Sequence, residues 1–178
     1  MENWLRMFAV KAFFRNVMMY RRNRMCSKEC VDLSEQIQKT VWHLPEWKSA
    51  GNINIYKNIG NEVSTKFLIH DAVKYGNKEI FYPTPEPKNN VMEMDLVIVP
   101  GVVFDENRAR YGRGKGYYDR FLDQVSKSTF IIGIAYDFQF LSHKLKLKLN
   151  EYDIKMDMIV TEKRIIQKKG TLNYKEMA

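Results

Sequence analysis

The chain holds only two cysteines, Cys26 and Cys30, and three histidines in 178 residues. So few thiols cannot build a disulfide scaffold, and without spaced Cys or His partners no four-ligand zinc site can form. No apolar run approaches the ~20 residues that cross a bilayer. The N-terminal runs Met7–Val10 and Ala12–Phe14 are cut by Lys11 and Arg15 and are too short for a signal-peptide core. Acid is scarce too, with 21 Asp and Glu against 29 Lys and Arg, a net charge of +8. With 45% hydrophobic and 28% charged residues, disorder and fibrous repeats do not fit. These absences leave a soluble, cytoplasmic protein of one domain, residues 1–178. A chain of this length buries roughly 70% of its unfolded surface without staples.

Excess cation favours anionic partners: nucleic acid, an acidic membrane surface, or polyanionic small molecules such as nucleotides. Lysine also serves solubility alone, so charge does not decide between them. The opening is arginine-rich, with Arg6, Lys11, Arg15, Arg21, Arg22 and Arg24 against a single acid, Glu2. A cleaved presequence would carry serine and small residues there, yet the first serine is Ser27. Trp4, Phe8, Lys11 and Arg15 recur at helical spacing, which predicts a helix to about Arg24, with residues 1–10 as an N-terminal helical extension.

Farther on, Ser27 is placed to cap a second helix with a stripe of Val31, Ile37, Val41 and Leu44, stopped by Pro45. Asn52–Tyr56 and Lys78–Tyr82 read as strands, and Val63–Tyr75 as an amphipathic helix closed by Gly76. Pro83–Met94 reads as a loop. Leu96 to Val99 is the pattern of a strand buried on both faces, followed by a helix over Tyr117–Val125 and strands at Phe130–Ala135 and Met158–Thr161. Lys144 to Leu149 alternates strictly and fits an edge strand or a helix turn, and 164–178 is expected as a C-terminal tail. Strands alternating with helices predict an α/β fold with a mostly parallel sheet.

One segment carries chemistry. After the buried strand, Gly112, Gly114 and Gly116 alternate with Arg113 and Lys115 and run into a helix. Glycines let backbone N–H groups approach an anion, a helix N-terminus adds partial positive charge, and Arg110, Arg113 and Lys115 add full charges. Asp119, in the first helical turn, is placed to hold hydrated Mg²⁺ beside such phosphates. The P-loop pattern fails because Gly116 follows Lys115, and the dinucleotide pattern fails because Tyr117 stands where its last glycine belongs. By composition such a loop is as often a flexible basic turn as a ligand site; its position at the carboxyl end of a parallel strand favours the ligand site, since open α/β sheets bind there.

The run Val99-Pro100-Gly101, Phe104-Asp105 and Arg110 through Leu122 resembles the signature of the 5-formyltetrahydrofolate cyclo-ligase (methenyltetrahydrofolate synthetase) family. Three further pieces agree in order: Lys11-x-x-Phe14-Arg15 followed by Arg21-Arg22, Tyr56 to Thr65 with Glu62-Val63, and Tyr152-Asp153 through Thr161-Glu162. The resemblance spans roughly residues 8–163 and implies a three-layer, Rossmann-like α/β domain. It also implies an ATP- and Mg²⁺-dependent ring closure of 5-formyltetrahydrofolate. By that similarity Lys11, Arg15, Arg110, Tyr111, Gly112, Arg113, Gly114, Lys115, Gly116, Tyr117 and Tyr118 would hold ATP. Lys57 and Glu62, with Arg113 to Tyr117, would border the folate, and Asp119 and Asp153 would serve Mg²⁺. The partners implied are ATP and a reduced folate, with no membrane, no nucleic acid and a monomeric chain.

One departure stands out: family members usually carry a longer insertion after the strand that ends at Pro83, and it lines the folate pocket. Here Pro83-Thr84-Pro85-Glu86-Pro87 closes that gap almost directly. Two alternatives remain beside the enzyme, a nucleotide-binding paralogue without the activity and a basic nucleic-acid-binding module.

Overall fold

Leu96, Val97, Ile98 and Val99 of strand β3 (Leu96–Pro100) have no exposed surface. A strand buried on both faces needs a layer on each side, and the rest of the chain supplies them. The computed structural model describes residues 2–84, 93–141, 147, 149, 153–168 and 170–173, with the backbone alone for 2–8 and 173. Before β3 come helices α1 (Glu2–Asn23), α2 (Ser27–His43) and α3 (Pro45–Ser49), strand β1 (Asn52–Ile55), helix α4 (Lys66–Tyr75) and strand β2 (Glu79–Phe81). After it come β4 (Val103–Phe104), β5 (Arg110–Tyr111), α5 (Tyr117–Leu122) and β6 (Phe130–Ile134). A 3₁₀ turn at Asp137–Gln139 then leads to β7 (Met158–Val160), β8 (Arg164–Gln167) and β9 (Gly170–Asn173).

The main sheet runs β2-β1-β3-β6-β7-β8-β9. Its first five members pair in parallel, whereas β8 and β9 join antiparallel. This is the mostly parallel α/β sheet that the sequence predicts. The parallel strand order reverses direction between β1 and β3, the point beyond which open sheets of this type bind ligands. Asp95 Oδ2 accepts from the backbone N–H groups of Gly51 and Asn52, both at 2.8 Å, and so ties the start of β1 to that of β3. These two donors hold the Asp95 carboxyl below its ordinary pKa.

One face of the sheet, with Ile53, Ile55, Ile98, Ile132 and Val160, packs against Ile37 and Val41 of α2, Trp47 of α3, and Leu68 and Ala72 of α4. The other face, with Val97, Val99, Ile131 and Ile159, meets Phe121 and Leu122 of α5 and the ring of Phe104. Phe104 leaves no space beside it: a Cβ on Gly101 would lie 2.2 Å from its ring, and one on Gly133 2.6 Å. Helix α1 docks through Phe14, Met18 and Met19 on a third cluster formed with the β4–β5 hairpin. Among the described residues no helix is long and apolar enough to cross a membrane.

Several expectations are corrected. Cys26, not Ser27, is the N-cap of α2, its sulfur accepting from Glu29 N–H. Val31 is exposed, and Ser34 and Gln38 take its place on the buried face. Helix α4 starts at Lys66 rather than Val63 because Val63 O accepts from Tyr56 Oη and Thr65 Oγ1 donates to Tyr56 O, which pins residues 63–65 to the end of β1. Residues 164–173, expected within a tail, instead extend the sheet because Ile165 and Ile166 are buried. The side chains of Trp4 and Phe8, most of Pro83–Met94 and most of Lys144–Leu149 lie outside the described residues.

Candidate active site

Where β1 and β3 end, the chain opens a cleft of about 830 Å³, within the range of cofactor pockets. Every residue that the family resemblance assigns to ATP, folate or Mg²⁺ lines it. Lys11 and Arg15 come from α1, Lys57 and Glu62 from the turn after β1, and Arg110 to Tyr118 from the hairpin and loop. Asp119 of α5 and Asp153 complete that set. Tyr56, Ile59, Tyr82 and Pro83 line it as well.

The glycine loop takes its shape from backbone geometry. Gly114 and Gly116 have φ of 96° and 62°, the left-handed region that side chains strain to adopt. Arg110 and Tyr111 belong to strand β5 rather than to the loop, and both are buried. The Arg110 guanidinium lies beneath the loop, so near that a Cβ on Gly112 would come within 2.8 Å of its Nη1. Its Nη2 donates to Asp119 Oδ1 at 2.8 Å, while its buried Nε has no partner among the described residues. Helix α5 has only six residues, so its dipole adds less than the sequence suggested, and the loop amides and full charges dominate.

Helix α1 brings three cations to one face. Lys11 pairs with Asp153 at 2.9 Å, and Arg15 Nε donates to Gly112 O at 2.8 Å. Both lie over the Tyr111 ring, at 4.9 and 5.5 Å from its centroid. Arg22, two turns on, is buried and donates from Nη1 to Gly101 O at 3.3 Å. Burial pulls its pKa below the ordinary value and the Glu62 charge pulls it back. In the sequence Arg22 stands out only as one of the opening cations and as half of a matching arginine pair, although Lys11, Arg15 and Arg22 recur at helical spacing. Gln139, which donates from Nε2 to Gly101 O and Val102 O at 2.9 Å each, was missed. No spacing pattern links it to β3.

Across the cleft, Glu62 is buried and accepts Ile59 N–H at 3.0 Å and Arg113 Nη2 at 2.7 Å. Lys57 Nζ sits 4.2 Å from the Tyr82 ring centroid. Tyr118 packs into the core, so the tyrosine pair is not an exposed platform for stacking bases. Burial pushes the phenols of Tyr56, Tyr117 and Tyr118 above their ordinary values, which leaves all three protonated at neutral pH.

A sequence model of the 5-formyltetrahydrofolate cyclo-ligase family matches residues 8–94 and 88–162. A Schizosaccharomyces pombe protein named "Probable 5-formyltetrahydrofolate cyclo-ligase" is 31% identical over 178 residues, covering 75% of this chain and 86% of that one. The 5-formyltetrahydrofolate cyclo-ligase of Mycoplasma pneumoniae is 28% identical over 165 residues, covering 85% and 98%. Among solved structures, the 5,10-methenyltetrahydrofolate synthetase of Aquifex aeolicus superposes with a TM-score of 0.75 at 28% identity, over 89% of this chain and 92% of that one. Sequence and fold therefore agree along most of the chain's length: it belongs to the 5-formyltetrahydrofolate cyclo-ligase family.

Proposed function

We propose that this chain uses ATP to close 5-formyltetrahydrofolate into 5,10-methenyltetrahydrofolate, releasing ADP and phosphate. The observation that carries this reading is a cationic glycine loop beside an uncharged wall of Ile59, Tyr82 and Pro83 in one cleft. A polyphosphate tail and a flat heterocycle need those two surfaces side by side.

In this reading Lys11, Arg15 and the stretch Arg110 to Tyr118 hold ATP. Lys57, Glu62 and Arg113 to Tyr117 border the folate. The formyl oxygen attacks the γ-phosphorus, and the new O–P bond forms as the bond to the ADP oxygen breaks. The second folate amine then attacks the activated carbon and loses its proton. The C–O bond breaks, and phosphate leaves with the former formyl oxygen. Such transfer depends on positioning and charge stabilisation, which Arg113 and Lys115 supply at the loop. The protonated phenols of Tyr117 and Tyr118 suit donation to substrate oxygens, not proton abstraction.

Asp119 and Asp153 fit a Mg²⁺ role because both carboxylates line the cleft, and Mg²⁺ is commonly held by one or two carboxylates plus phosphate oxygens. When bound, the ion neutralises phosphate charge.

Substrate labelled with ¹⁸O in the formyl group tests the route. Labelled phosphate is expected in every turnover, and unlabelled phosphate would overturn it.

A further inference from the structure

Glu62 is shared between two arginines of opposite character. Its Oε1 receives Arg113 Nη2 at 2.7 Å and lies 3.8 Å from Arg22 Nη2. The Arg113 side chain is 44% exposed on the glycine loop, while that of Arg22 is 4% exposed on α1. Two cations around one carboxylate leave the trio a net positive charge at the edge of the cleft, which favours an incoming anion. Arg113 is the partner able to turn toward it, because its loop lines the cleft and nearly half of its side chain is exposed. Once Arg113 turns, Glu62 keeps, among the described residues, Ile59 N–H and the buried Arg22. A carboxylate at 8% exposure that lost all charge compensation would be strongly destabilised. Arg22 is fixed for that task, donating to Gly101 O at the end of β3 while Asn61 Nδ2 bonds its backbone carbonyl at 3.0 Å.

We propose that Arg22 is a positioning residue, which holds the Glu62 carboxylate oriented and compensated while Arg113 moves onto a bound anionic group of the substrate. The inference rests on the functional reading above, since Glu62 there borders the folate. Arg22 touches no substrate itself; its effect passes through Glu62.

The test is a cycle of full-length variants: Arg22→Met, Arg22→Lys, Glu62→Gln and the Arg22→Met/Glu62→Gln pair. Steady-state turnover is measured with ATP and 5-formyltetrahydrofolate varied separately. Arg22→Met is expected to raise the folate KM by roughly tenfold or more, the loss of a charge-assisted contact, with a clearly smaller rise in the ATP KM, since Arg113 is only one of several cations on the nucleotide side. Arg22→Lys is expected to recover most of that loss. In the Glu62→Gln background Arg22→Met should change the folate KM by less than about twofold, because no carboxylate remains to be held. If Arg22→Met does not fold, Arg22→Lys and the double variant, which removes both buried charges, carry the comparison. Equal effects with and without the Glu62 carboxylate, or equal shifts in both KM values, would mean a structural role and overturn the proposal. Turnover by the wild-type chain alongside such equal effects would overturn this inference alone. A wild-type chain that makes no methenyl product would overturn the functional reading together with it.

Discussion

Arg110 donates from Nη2 to Asp119 Oδ1 at 2.8 Å, and this contact joins the β4–β5 hairpin to helix α5 beneath the glycine loop. The arginine side chain is 2% exposed and the aspartate 22%. An acid expected to serve only Mg²⁺ is thus also the counter-charge of a buried guanidinium.

Asp119→Asn should therefore do two things. Loss of the charge leaves Arg110 uncompensated and is expected to cost about 1–3 kcal/mol, seen as a melting temperature lowered by several degrees. Mg²⁺-dependent turnover should collapse as well. A variant that melts lower yet keeps full turnover would leave Asp119 a structural role alone.

Lys115 is exposed at the mouth of the loop. Lys115→Ala should weaken ATP binding by ~1.5–3 kcal/mol, read by calorimetry, with the melting temperature unchanged. Unaltered affinity would remove the loop from the nucleotide site.

Gly101→Ala places a methyl group 2.2 Å from the Phe104 ring, which is already confined by Gly133. Overpacking of this kind is expected to cost ~2 kcal/mol or more. Phe104→Leu in the same chain should recover part of the loss in a urea titration. Failure of that rescue would mean the ring is not the obstacle.

The short segment after Tyr82 bears on the folate. Tyr82, under Lys57 Nζ, and Pro83 form the apolar wall of the cleft, whereas Phe81 packs on the sheet core. With the insertion shortened, the folate KM should exceed that of relatives carrying it while ATP affinity stays ordinary. Tyr82→Ala should raise the folate KM further. A folate KM equal to that of such relatives, unmoved by Tyr82→Ala, would show the wall to be dispensable.

Asp95 offers a test of the sheet rather than the site. Its folded pKa lies below the unfolded value because two backbone N–H groups bond the charged form. The stability it contributes is present above the unfolded pKa and is lost as pH falls through the depressed folded pKa. Asp95→Asn should thus lower the melting temperature at neutral pH, and the difference from wild type should shrink in acid below about pH 4. A pH-independent difference would contradict the assignment.

Much of this was legible in the sequence where one physical demand dominated. The unbroken run Leu96–Val99 could only be a strand buried on both faces, and Gly112, Gly114 and Gly116 with their cations could be read as an anion cradle. What stayed hidden depended on partners distant in sequence. The start of α4 was misplaced because Tyr56 pins residues 63–65. The burial of Arg110 followed from a two-residue hairpin too short to leave a period-two pattern. Ile165-Ile166 alone does not announce a strand until β7 offers an edge. Gln139 matters only because its amide reaches Gly101 and Val102.

The most direct measurement follows methenyl absorbance and ADP together, using the purified full-length chain with ATP, Mg²⁺ and 5-formyltetrahydrofolate. The expected result is one methenyl product for each ADP, with both lost when any one component is withheld. Bound ATP without methenyl absorbance at saturating folate would contradict the cyclo-ligase activity.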